Sequence, residues 1–294
     1  PQIVPIAFQR ASANPRLALF AIFFGLHAIS QPLPGQSKLI PILAEELERN
    51  LKGLAQSDPK PYFLAYYIYE QDARTVNASL GGLQNSTATR ARVLDVSLRL
   101  GDPQLDNYRQ IRGDRPQFSA AVPVPIEESP NAIRRRLWLE TDRVYRAAAQ
   151  RLINIKSNQQ VKLEGDDKSA DFSPAPPVKK IVPVAPLRFD EKVFQERARK
   201  WSAYFAGRAE VLNSGVTILA QREMKTIVNS EGTQVEFGRQ FARILISAQG
   251  KAADGMNLFA SETFEADDPS RLPDDKTVQA AVEKVHRKLV ALLK

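Results

Sequence analysis

The chain has 294 residues, 43% hydrophobic and 25% charged, with a formal charge of +8. That composition is ordinary for a globular protein and large enough for one large or two medium domains. There is no Cys and there are two His, His27 and His286, which argues against a Cys nucleophile, a His/Cys zinc site and a Ser-His-Asp triad with a histidine to spare.

In chain order, residues 1–30 read as a secretory signal. Arg10 and Arg16 supply positive charge, no acid precedes Glu45, and Leu17 to Ile29 is an apolar run too short for a relaxed membrane span. Ala28-Ile29-Ser30 offers small residues for cleavage after Ser30, an uncleaved anchor being the alternative. Export without Cys means a fold that stands on its core alone.

Leu39, Leu43, Leu47, Leu51 and Leu54 recur at helical spacing and predict a first helix, with Pro41 in its first turn. Aromatic and alternating stretches predict strands at 62–71, 75–80 and 91–100. Asp72-Ala73-Arg74 and Gly81-Gly82 are read as turns, and the whole as an antiparallel meander. Asn131 to Ile155 predicts a long helix with a stripe of Ile133, Leu137, Val144, Ala148, Leu152 and Ile155. Its arginines, Arg134, Arg135, Arg143 and Arg146, form a solvated face.

Residues 164–186 carry acids, Ser and then five prolines, and read as a linker or extended segment. The second half repeats the logic of the first. A helix runs from Asp190, its N-cap, to Phe205; strands follow at 211–222, 224–229, 239–250 and 256–264; a last helix carries Val278, Val282, Val285, Leu289 and Leu292. Asn229 to Thr233 is a turn with Gly232 suited to positive φ.

Motifs for chemistry are lacking: there is no HExxH or HExxxH, Walker A, GxGxxG opening a helix, GxSxG or CxxC. The paired acids Glu127-Glu128, Asp166-Asp167, Asp267-Asp268 and Asp274-Asp275 read as solvated loop residues. Asp254-Gly255 reads as a hairpin turn and His286 as surface. The basic residues, Arg90, Arg92, Arg99, Arg109, Arg112, Arg115 and Arg134 to Arg136, are scattered among acids without an RNP or helix-turn-helix signature. No nucleic-acid partner is expected. No catalytic, cofactor-binding or metal residue is assigned.

Several strings in order resemble the N-terminal region of TldD/PmbA-type proteins. They are Pro61-Tyr62 to Tyr69, Ala78-Ser79-Leu80-Gly81-Gly82-Leu83, Thr89-Arg90-Ala91-Arg92 and Val96 to Asn107. Leu137-Trp138-Leu139-Glu140-Thr141-Asp142 with Tyr145, Asp171-Phe172-Ser173, Asn229 to Thr233 and Ala253-Asp254-Gly255-Met256 extend the likeness, which runs from about residue 61 to about 275. It is closest to the exported, bacterial branch of these predicted peptidases. The resemblance implies a zinc metallopeptidase, often built of two related subunits around a chamber that admits unfolded peptides, with HExxxH in the C-terminal half. None of those ligands falls on this sequence, and one His outside the leader cannot supply the three protein ligands zinc hydrolysis needs.

These readings combine into an α+β chain of two lobes, each a mainly antiparallel sheet with flanking helices: 1–30 a signal peptide, 31–163 the first lobe, 164–186 the linker and 187–294 the second lobe. The expected role is the non-catalytic N-terminal part of a TldD/PmbA-like metallopeptidase, structural, partner-docking or shaping substrate entry. It would be periplasmic or secreted, without an integral span once the signal is removed. No cofactor is expected in this chain, zinc only with an HExxxH half. The expected partners are a related subunit, in a homo- or heterodimer, and unfolded peptide. The alternative is a stand-alone exported peptide-binding or scaffolding protein without enzymatic activity.

Overall fold

The computed structural model describes residues 37–110, 121–127, 129–158 and 169–294. The leader with His27, Arg112 and Arg115, Glu128, and the Asp166-Asp167 pair with the start of the expected linker lie outside the described residues.

The architecture is α+β. Helix α1 (Leu39–Leu54) precedes a long hairpin, β1 (Pro61–Ser79) and β2 (Gly82–Asp102). Two short strands, β3 (Leu105–Asp106) and β4 (Val122–Pro123), lead to α2 (Pro130–Asn158). Strand β5 (Lys179–Ile181) precedes α3 (Glu191–Ser202), which tightens into a 3₁₀ turn at Ala203–Phe205. A second long hairpin follows, β6 (Asn213–Asn229) and β7 (Gln234–Lys251), then β8 (Asn257–Ala266) and α4 (Asp275–Leu292). Asp190 caps α3 by accepting the Val193 amide at 3.2 Å, and Asp274 caps α4 by accepting the Thr277 amide at 2.9 Å.

The strands form one eight-stranded sheet in the order β3-β2-β1-β6-β7-β5, with β4 on β2 and β8 on β7. Every pair is antiparallel except β5 with β7. The decisive pair is β1 with β6, in register from Ala65 opposite Asn229 to Ala78 opposite Val216. This corrects the expectation of a sheet in each half: a single sheet passes through both, and all described residues lie in one compact unit, Leu33–Lys294.

All four helices cover the same sheet face, because the buried strand residues share one parity. Leu64, Tyr66 and Ile68 of β1, with Leu94, Val96, Leu98 and Leu100 of β2, pack beneath α1 and α2. Val76 and Ala78 of the same strand, with Val216, Ile218, Ile244 and Ile246, pack beneath α3 and α4. Between the two helix pairs the same face turns polar. There Glu70 pairs with Arg92 at 2.6 Å, and Asp72 pairs with Arg74 and, at 3.8 Å, with Arg90.

That polar gap explains two corrections. The predicted turn at 72–74 does not exist; β1 runs straight through it. The predicted break between 222 and 224 is likewise absent, since Arg222 of β6 faces the gap and donates to the Val184 carbonyl at 3.2 Å. The predicted turn at Gly81 is real: Leu80 and Gly81 both take positive φ, 51° and 82°. Gly238 is required for a different reason, since a Cβ there would lie 2.1 Å from the Glu223 carbonyl oxygen.

The described part of the expected linker is docked. Asp171 pairs with Arg109 at 2.9 Å, and the Phe172 ring sits 4.9 Å from that of Phe63. Val178 accepts from Gln234, and Val182 donates to Glu236, each at 2.8 Å, flanking β5 along the edge of β7. The segment then crosses the polar gap, where Gln240 donates to the Ala185 carbonyl at 2.6 Å.

Candidate functional site

With every described helix on one face, the odd-numbered residues of β1, β6 and β7 make the other face, which Phe172 covers at Phe63 and which opens from Tyr67 onward. It has three zones. At the α1/α2 end, Tyr67 of β1 is in register with Ile227 of β6 and Val235 of β7, and Tyr69 with exposed Lys225 and, beyond it, Phe237. Tyr67 and Phe237 are 39% and 40% exposed, so among the described residues this is a partly exposed aromatic patch. Burial in the sheet raises the Tyr67 phenol above its ordinary range. Burial also raises Tyr69, helped by its hydrogen bond to Glu223.

The middle zone is charged. Glu223 accepts from Arg239 at 2.9 Å and from Gln221 at 2.5 Å, and Arg243 pairs with Glu265 at 2.6 Å. Burial opposes ionisation of Glu223, but Arg239 and Tyr69 outweigh it and hold the carboxyl below its usual range. The Glu223–Arg239 pair is satisfied in place, and no group of three or more His, Asp or Glu among the described residues is placed there to hold a metal ion.

The third zone, at the α3/α4 end, is a groove without a charged lining residue. Asn77, Gln84, Thr217, Ser247 and Gln249 surround it, Gly215 forms its floor and Phe259 its rim. Thr217 donates to the Asn77 carbonyl oxygen at 3.3 Å, and Ser247 reaches the Gly215 carbonyl at 3.5 Å. Ser214, beside Gly215 but with the parity of the helix-covered face, is only 7% exposed, and its Oγ has no hydrogen-bond partner. This groove had no motif in the sequence; only the run of uncharged polar residues at alternate strand positions marks it.

The residues weighed for chemistry fall elsewhere and apart. Asp267 pairs with Arg271, Asp268 caps a 3₁₀ turn through Ser270, and Asp275 pairs with Arg197 and Lys200, each at 2.9 Å. Asp254 makes a turn by accepting the Met256 amide at 3.0 Å, next to Gly255 at φ 90°. His286 corrects the surface reading: its side chain is mostly buried, hydrogen-bonded to Glu210, with its ring 5.7 Å from Tyr204. Of the arginine run, Arg134 pairs with Glu45 at 2.5 Å and Arg136 donates to the Pro123 carbonyl at 3.0 Å, while Arg135 is exposed. Among the described residues, no group of three or more His, Asp or Glu is placed to hold a metal ion, and no helix is long and apolar enough to cross a membrane.

No protein-family model matches the sequence, and no curated protein matches it significantly. Solved structures do match the fold. TldE from Thermococcus kodakarensis aligns over 84% of this chain and 47% of its own, with a TM-score of 0.52 at 10% identity. The fold is similar to that of about half of TldE. A protein from Bacteroides thetaiotaomicron described as a candidate modulator of DNA gyrase aligns over 86% of this chain and 50% of its own, with a TM-score of 0.52 at 11% identity. The chain thus spans about half the length of the solved structures it matches, and its TldD/PmbA-like architecture is the one the sequence strings imply.

Proposed function

We propose that this chain is the non-catalytic, N-terminal part of a TldD/PmbA-like metallopeptidase assembly, working at an exported location as a scaffold that docks a related subunit. The observation that carries the reading is the partly exposed aromatic patch of Tyr67, Tyr69 and Phe237 on a sheet whose fold aligns with about half of TldE. Exposed aromatic area beside paired charges is the composition of a protein-docking surface. A zinc site would come from the other half of the assembly, because the described residues here bring no ligand set together.

The test has two arms. Elemental analysis and an assay on unfolded casein are expected to show neither stoichiometric zinc nor cleavage. Light scattering with a TldD/PmbA-type subunit should show association that Tyr67→Asp or Phe237→Asp weakens at least tenfold without shifting the melting temperature. One tightly bound zinc per chain with chelator-sensitive cleavage would overturn the non-catalytic assignment. Association indifferent to both variants would overturn the docking surface. The stand-alone peptide-binding reading rests on β8, which pairs with β7 alone among the described strands and so leaves an outer edge for strand addition. It predicts a monomer that captures extended peptide.

A further inference from the structure

We propose that the uncharged groove at the α3/α4 end of the open face binds a neutral carbohydrate chain. It lies some ten residues along β1 from the aromatic patch, about 33 Å at the rise of an extended strand, so it is a second site and not part of the docking surface.

Three observations converge on this ligand class. The first is charge: in a chain with 25% charged residues, the lining of this groove has none, which disfavours phosphates, carboxylates and cationic ligands. The second is its supply of hydrogen bonds. The amides of Asn77, Gln84 and Gln249 and the hydroxyl of Ser247 each donate and accept, matching the mixed character of sugar hydroxyls.

The third is the rim. Phe259 stands opposite Gln249 in register and is 61% exposed, so a flat apolar ring borders the amides. A pyranose has an apolar C–H face and a polar edge, and this pairing of ring and amides fits both.

Gly215 supplies the discriminating variant. A Cβ added there would meet Ser247 Oγ at 3.4 Å, an ordinary contact, so Gly215→Val fits the strand while its methyl groups fill the groove. The experiment is calorimetric titration of the full chain with chitotetraose, cellotetraose and maltotetraose. At least one should bind, and Gly215→Val and Phe259→Ala should each weaken it at least tenfold with an unchanged melting temperature. Tyr67→Asp, in the docking patch, should leave sugar binding intact, so failure of the docking reading and failure of this one are distinguishable. No binding of any tetrasaccharide at about 5 mM, binding indifferent to both groove variants, or binding instead of an uncharged Ser/Asn/Gln peptide would each overturn the proposal.

Discussion

Single side chains in this molecule are costly mainly where polarity is enclosed. Tyr66 is fully buried, and its hydroxyl joins Asn50 at 2.9 Å and Thr141 at 2.8 Å, tying α1 and α2 to β1. Burial pushes its phenol up to about 12 against the lowering effect of those hydrogen bonds. A folded-state value above the unfolded value of about 10 means that the contribution is full below pH 10 and lost as pH rises toward 12. Between those limits the protein should lose about 2–3 kcal/mol on this account. Tyr62, half-buried and bonded to Asp106 at 2.6 Å, shifts in the same direction. Urea midpoints at pH 9 and pH 11.5 check this: Tyr66→Phe should be weaker at pH 9 but lose less than the parent on going to pH 11.5. Asp106 shows the same economy of polar burial. It is fully enclosed, yet it accepts from Tyr62, from Arg99 at 2.5 Å and from the Tyr108 amide at 2.7 Å, so its charge is satisfied in place.

At the level of elements, the helices were the more legible part. The stripe from Ile133 to Ile155 is buried as its spacing predicts, and Asp190 caps α3 as expected. Leu137 is fully enclosed, so Leu137→Ala should cost about 2–5 kcal/mol, whereas exposed Arg135→Ala should stay within about 0.5 kcal/mol. Denaturant unfolding of both variants checks the pair, and a neutral Leu137→Ala would mean the stripe is not core. The strands were misread at their centres for one physical reason. Alternation locates a strand only where a helix lies over its inward face. At Glu70, Asp72, Arg74 and Arg222 the inward face looks into the gap between helix pairs, and charge there imitates a turn. The open face, with its aromatic patch and uncharged groove, was not legible, because which strands become neighbours is decided by the pairing of β1 with β6. That pairing leaves no local signal.

For the whole molecule, that same pair makes the two halves mechanically one. Two lobes joined by a linker would unfold in two steps; a sheet shared across fourteen registered pairs should unfold in one. In a Trp138→Phe background, fluorescence of buried Trp201 reports the α3/α4 end, and far-ultraviolet circular dichroism reports the whole. Their urea transitions should coincide, and Leu137→Ala at the far end should shift both together. Transitions that separate would show the ends to be independent. The shared sheet also has a cost in time. Ala65 waits for Asn229 before its ladder can close. At a synthesis rate of about 5–20 residues per second the inner edge of β1 is therefore bare for roughly 8–30 s. A long naked strand is a template for the wrong neighbour, and inward charges are a known guard against such pairing. Glu70, Asp72 and Arg74 sit in the middle of that edge, so the feature that disguises β1 as two strands in the sequence also protects the nascent chain until its proper partner is made.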